Sequence, residues 1–197
     1  MPKPASLAAH QAARDGDISG LERLLPVLDD SGVAIFQSVD DTSGDTALHI
    51  AAEEGQLECV TWLLRHGNIY YQTKNITGET PAHKAALNGH LDCLETLIEF
   101  DKENASTAAN ETNNQGLTCL HIATIHNHMA VIKWLLDRYR STAFAMNEFG
   151  ALAIHFAAAQ DMCTAARFCW CARECTADLD VFKKVEPRFY LTDSHRP

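Results

Sequence analysis

The sequence is short of positive charge. Of its 197 residues, 16 are Lys or Arg and 26 are Asp or Glu, for a formal net charge of -10. A chain that grips phosphates by electrostatics needs the opposite balance, which argues against nucleic acid and against anionic lipid as partners. Long apolar runs are also missing. The longest, around Gly150 to Ala159, contains His155 and falls short of the about 20 residues that cross a bilayer. The opening Met1-Pro2-Lys3-Pro4 has no apolar secretory core. Seven cysteines lack the spacing of a disulfide framework and fit a reducing compartment, where cysteine packs as a small hydrophobe. The expectation is a soluble cytoplasmic protein, in which the Asn-x-Ser/Thr triplets at Asn75, Asn104 and Asn110 are chance matches.

Signatures of chemistry are equally scarce. No Gly-x-x-x-x-Gly-Lys loop, Ser-His-Asp constellation or pair of catalytic carboxylates stands out. Cys169, Cys171 and Cys175 have no second pair and no suitable histidine, and His121, His126 and His128 lack a regular ligand spacing. The sequence predicts no enzyme, no metal site and no cofactor.

What is present is repetition. One phrase occurs four times, as Gly44-Asp-Thr-Ala-Leu-His-Ile-Ala-Ala52, Gly78-Glu-Thr-Pro-Ala-His-Lys-Ala-Ala86, Gly116-Leu-Thr-Cys-Leu-His-Ile-Ala-Thr124 and Gly150-Ala-Leu-Ala-Ile-His-Phe-Ala-Ala158, with periods of 34, 38 and 34 residues. A fainter copy surrounds His10. Apolar residues recur eight, fourteen and fifteen positions after each histidine, as in Leu57, Leu63 and Leu64, so each unit carries a second amphipathic helix. Thr46, Thr80 and Thr118 are placed to cap the first helix, and Pro81 suits its first position. Six residues after each histidine stand Gly16, Gly55, Gly89, Asn127 and Asp161, types that tolerate the left-handed conformation of a tight turn. Leu152 replaces the capping threonine and makes the last unit the weakest.

The phrase and its period resemble the ankyrin repeat. The resemblance implies an all-α solenoid of about five helix-turn-helix units with β-hairpin finger loops, over residues 5–172. The approximate units are 5–40, 41–74, 75–112, 113–146 and 147–172, followed by a non-repeat tail at 173–197. It also implies that His49, His83, His121 and His155 bond to backbone groups of neighbouring loops; one per repeat, they cannot converge on a metal ion. Leu179, Val181, Phe182, Val185, Phe189, Tyr190 and Leu191 of the tail could fold back as a cap over the last unit.

Two segments narrow the resemblance. Thr80-Pro-Ala-His-Lys-Ala-Ala-Leu-Asn-Gly-His-Leu-Asp-Cys-Leu94 and Gly150-Ala-Leu-Ala-Ile-His-Phe-Ala-Ala-Ala159 are similar to repeats near the N-terminus of the espin family of actin-bundling proteins. That implies a cytoskeleton-associated scaffold in actin filament bundles, whose ankyrin array binds the tail of class III myosins. The sequence shows no proline-rich segment, actin-binding motif or basic bundling module, so direct actin bundling does not carry over. The alternative is a free-standing ankyrin regulator or adaptor that docks a kinase, transcription factor or ubiquitin ligase.

In either case the expected partner-binding groove runs along the finger tips and the exposed ends of the first helices. Residues 1–60 hold three basic and eleven acidic side chains, which account for -8 of the net charge. Asp40, Asp41, Asp45, Glu53 and Glu54 place that charge at one end of the groove. Glu79, Leu87, Asn88, Leu117, Ile125, His126 and Phe149 continue it, with apolar side chains where an isolated solenoid would carry polar ones. The implied occupant is a basic amphipathic segment of a protein partner.

Overall fold

A computed structural model of the protein describes residues 4–25, 35–67 and 69–159. Its helices are α1 (Pro4–Asp15), α2 (Ile18–Leu24), α3 (Ala47–Glu53), α4 (Leu57–His66), α5 (Pro81–Asn88), α6 (Leu91–Glu99), α7 (Ala105–Asn110), α8 (Cys119–Ile125), α9 (Met129–Arg138) and α10 (Ala153–Ala159). Two 3-10 helices, Ile35–Gln37 and Arg140–Phe144, join them, and no strand occurs among the described residues. None of these helices is long and apolar enough to cross a membrane. The second helix expected after α10, with Cys163, Cys169 and Cys171, lies outside the described residues, as does the tail at 173–197 with Cys175.

The first helices start where the phrase places them. Thr46, Thr80 and Thr118 are extended N-caps, each closing a reciprocal box with the histidine three residues on, where Glu or Gln more often stands. Leu152 has no hydroxyl to offer, yet its backbone N–H still donates to His155 Nδ1 at 2.9 Å. Half of the box therefore survives at α10.

The first helices α1, α3, α5 and α8 each end in a turn that reverses the chain into the second. Gly55 has a φ of 73° there, and a Cβ on it would stand 2.6 Å from the ring of His90, so both conformation and space demand glycine. Asn127 takes the same role at φ 59°, the one non-glycine residue with positive φ among those described. The second helices bury one stripe each: Cys59, Val60, Leu63 and Leu64 on α4; Cys93, Leu94, Leu97 and Ile98 on α6; Val131, Ile132, Leu135 and Leu136 on α9.

First helices stack on first helices in the order α1, α3, α5, α8, α10, and second helices in the order α2, α4, α6, α9. Fully buried Ala51, Ala52, Ala85, Ala86 and Ala123 let the first helices approach closely. Among the described residues the main contacts between units join neighbours, which is the geometry of a solenoid. The 38-residue period has a local cause. Its four extra residues fall between the end of α6 and the start of α7, which packs on α6 and on its counterpart in the next unit, the 3-10 helix Arg140–Phe144. Asp101 organises the entry, accepting from Asn104 Nδ2 at 2.8 Å and Glu103 N–H at 3.2 Å.

Candidate interaction surface

The loops between units form fingers built on one plan. The Asn75 N–H donates to the Glu79 carbonyl at 2.9 Å, Asn113 to Leu117 at 3.0 Å and Asn147 to Ala151 at 2.9 Å. One such bond and a second, from the Gly78, Gly116 or Gly150 N–H back to the asparagine carbonyl, close each finger, so the expected hairpins are tight turns rather than paired strands. The asparagine side chain fills the turn. Asn75 Oδ1 accepts from Thr77 and Glu79 N–H groups, Asn113 Oδ1 from Gln115 and Leu117, and Asn147 Oδ1 from Phe149 and Ala151. In the first finger Asp40 does this work, with its own N–H bonded to the Asp45 carbonyl at 2.8 Å. That finger is one residue longer, which leaves Asp41 exposed. The hydroxyl of Thr42, then the N–H of Ser43, hold the Asp40 carboxyl down at about 2.

The histidines lock each finger to the unit before it. In His49 the Nδ1 accepts from the Thr46 N–H at 3.2 Å, so the proton sits on Nε2, which donates to the Glu79 carbonyl at 3.0 Å. His83 reaches the carbonyls of Glu111 and Leu117 at 3.1 and 3.2 Å, and His121 reaches that of Ala151 at 3.2 Å. His10 does the same toward Ser38. Burial pushes the imidazoles of His49, His83 and His121 toward the neutral form, His83 down to about 4 despite the opposing pull of Glu79 and of its carbonyl partners. These rings are structural donors and acceptors. Fingers are also stitched to one another, by Ile76 N–H to Ser43 carbonyl at 3.1 Å and Asn114 N–H to Thr77 carbonyl at 3.0 Å.

The expected acidic end is less open than its composition suggests. Asp45 is 5% exposed and accepts from Asn75 Nδ2 at 2.7 Å. Burial alone would raise its carboxyl; the bonds from Asn75 and Ser43 and the charge of Lys84 together bring it below the ordinary range. Lys84 Nζ lies 3.4 Å from Asp45, 3.7 Å from Glu53 and 3.8 Å from Glu79. Glu54 pairs with Arg14 at 3.3 Å. Asp41 is exposed, and Glu53 and Glu79 are half-buried. Asn88 is exposed and donates to the Glu53 carbonyl at 2.7 Å.

Further along, Leu87 and Leu117 are partly buried against the core, and Ile125 is half-buried, while His126 is exposed and stacked beside His128. Phe149 stands out at the fourth finger, 72% exposed, and Ile76 at the second, 64% exposed. The structure thus brings Asp45, Glu53 and Glu79 together around Lys84 and leaves Phe149 apart from them. Lys84 and the finger asparagines are the residues that sequence reasoning missed. Both left a trace: Lys84 follows its histidine where other units have Ile50, Ile122 and Phe156, and Asn-x-x-Gly recurs at Asn75, Asn113 and Asn147.

Three cysteines are described, and all are buried. Burial pushes the Cys93 thiol up to about 11 and Cys119 to about 12, which makes them packing residues rather than nucleophiles.

Comparison with known families agrees with this architecture. Residues 9–108 match a family model for ankyrin repeats in three copies, and residues 96–136 match one for ankyrin repeats in many copies. The chain belongs to the ankyrin-repeat family. No curated protein matches it. An ankyrin array is a scaffold for protein–protein interaction, so its fingers and the exposed ends of its first helices are where chemistry toward a partner is to be sought.

Three positions of the ankyrin unit change character from unit to unit. Four residues before the histidine stand Asp45, Glu79, Leu117 and Ala151; one after, Ile50, Lys84, Ile122 and Phe156; four after, Glu53, Leu87, Ile125 and Ala159. The ionic side chains Asp45, Glu53, Glu79 and Lys84 all fall in the two earlier units, and the two later ones carry only apolar residues at these positions.

Proposed function

We propose that this ankyrin array binds a basic amphipathic segment of a partner protein. The partner's lysines or arginines lie toward Asp41, Glu53 and Glu79, and its apolar side chains toward Leu117, Ile125 and Phe149. The ionic-to-apolar gradient along the fingers and first helices supports this reading, because an amphipathic segment with charge at one end matches it group for group. The similarity of Thr80–Leu94 and Gly150–Ala159 to espin repeats supports a narrower form. In it the protein is a cytoskeleton-associated scaffold of actin filament bundles and the segment belongs to a class III myosin tail.

Affinity capture with the full chain, with class III myosin tail among the candidate partners, tests the narrower form, and retention of that tail is the expected result. For the electrostatic half, Asp41, Glu53 and Glu54 are changed together to lysine. Asp45 is left intact because its carboxylate holds Asn75 and Lys84. Affinity for the captured partner should drop by about tenfold or more, and its dependence on salt should flatten. Unchanged affinity and salt dependence would sink the groove reading.

A further inference from the structure

Lys84 occupies an unusual place. At its register the neighbouring units carry Ile50, 6% exposed, and Ile122, 4% exposed. A lysine in that row has to bring its ammonium among buried apolar side chains or find carboxylates. It finds three, from three separate elements: Asp45 on the first finger, Glu53 at the end of α3 and Glu79 on the second finger, all within 4 Å. Among the described residues it is the one cation that close to any of them. Its side chain is only 12% exposed, whereas Glu53 keeps 34% and Glu79 20%.

The balance of charge is uneven. One ammonium faces three carboxylates, so a local excess of negative charge remains and reaches solvent through Glu53 and Glu79. Asp45 is committed inward by Asn75 Nδ2. A cation arriving from outside meets two carboxylates whose field Lys84 already partly cancels, and it is repelled by that ammonium at short range.

We infer that Lys84 is an internal counter-ion that sets the strength and selectivity of the proposed groove: it competes with the partner's cation for Glu53 and Glu79 and keeps weakly basic segments out. The inference rests on the groove reading above and deepens it. Removing the ammonium while keeping the stem leaves the carboxylates uncompensated, so the K84M protein attracts basic segments more strongly than the natural one. Methionine suits the site because it keeps an unbranched stem close to that of lysine and the equivalent positions, Ile50, Ile122 and Phe156, already hold apolar side chains.

The test uses the full chain, natural and K84M, and a fluorescent helical peptide with lysines on one face and leucines on the other. A second peptide with glutamates in place of the lysines serves as control. Circular dichroism and thermal melting establish that each protein is folded, and K84Q provides a second uncharged variant should K84M fail to fold. The expected result is binding of the lysine peptide by the natural protein and a gain of about fivefold or more in affinity on losing the ammonium, with a steeper salt dependence. The glutamate peptide should bind neither protein. Binding by the natural protein with no gain in folded K84M or K84Q overturns the role of Lys84 and leaves the groove reading standing. Failure of every protein to distinguish the lysine from the glutamate peptide overturns both.

Discussion

At the scale of single residues, the repeated histidine does the most for the least surface. Its Nδ1 accepts from the backbone of its own helix start and its Nε2 donates to the next finger, a pattern that only the neutral ring can satisfy. Protonation of Nδ1 would set one donor against another. The folded imidazole of His83 titrates near 4, against about 6.5 in the unfolded chain. The unfolded state therefore binds the extra proton as pH falls. The contribution is complete above pH ~6.5 and is lost progressively down to about 4, by on the order of 3 kcal/mol for His83 alone. His49 and His121 are shifted in the same direction. Urea midpoints should fall between neutral pH and pH 4.5, and the H83Q protein should be less stable at neutral pH with a shallower fall. A flat profile for the natural protein would contradict the assignment.

At the scale of the element, the helix starts and turns divide the work. Replacing Thr118 by valine keeps shape and removes the hydroxyl half of the box. The expected loss is about 1 kcal/mol, within the range for capping residues, read from chemical denaturation. Gly89, at φ 75° and pressed against the His128 ring, should resist substitution more strongly. G89A is expected to cost upwards of about 1 kcal/mol, because a Cβ meets both strain and contact there. Equal stability of G89A and the natural protein would show that the turn relaxes. Helix starts, turn positions and the stripes on α4, α6 and α9 were legible in the sequence, because capping, chirality and helical period act over a few residues. The insertion in the third unit was legible only as a longer period. That the chain beyond it folds as α7 depends on buried Ala105, Ala108 and Ala109 meeting other elements, which no local rule contains.

At the scale of the whole molecule, the fingers act as clasps between neighbours, so damage should travel to the adjacent unit and fade beyond it. In an H121A protein the fourth finger and α10 lose their link through the Ala151 carbonyl. Hydrogen exchange should show faster opening of residues 147–159, with α3 and α4 protected as before. Uniform loss of protection over the array would mean that it opens as a single unit.

The candidate site divides along the same line. The sequence by itself determined the ankyrin register, the helix pairs and the acidic bias of the first third, since each is a matter of composition or of short periodicity. Only the tertiary structure decided which of those acids face a partner. It turned Asp45 inward to Asn75 and gave Asp40 the finger turn that the register would assign to Asp41. It also set Lys84 between two fingers and a helix end. The physical reason is that charge is additive along a chain but its effect is not: a carboxylate buried beside an ammonium and one open to water count alike in the sequence, and only the fold decides which is which.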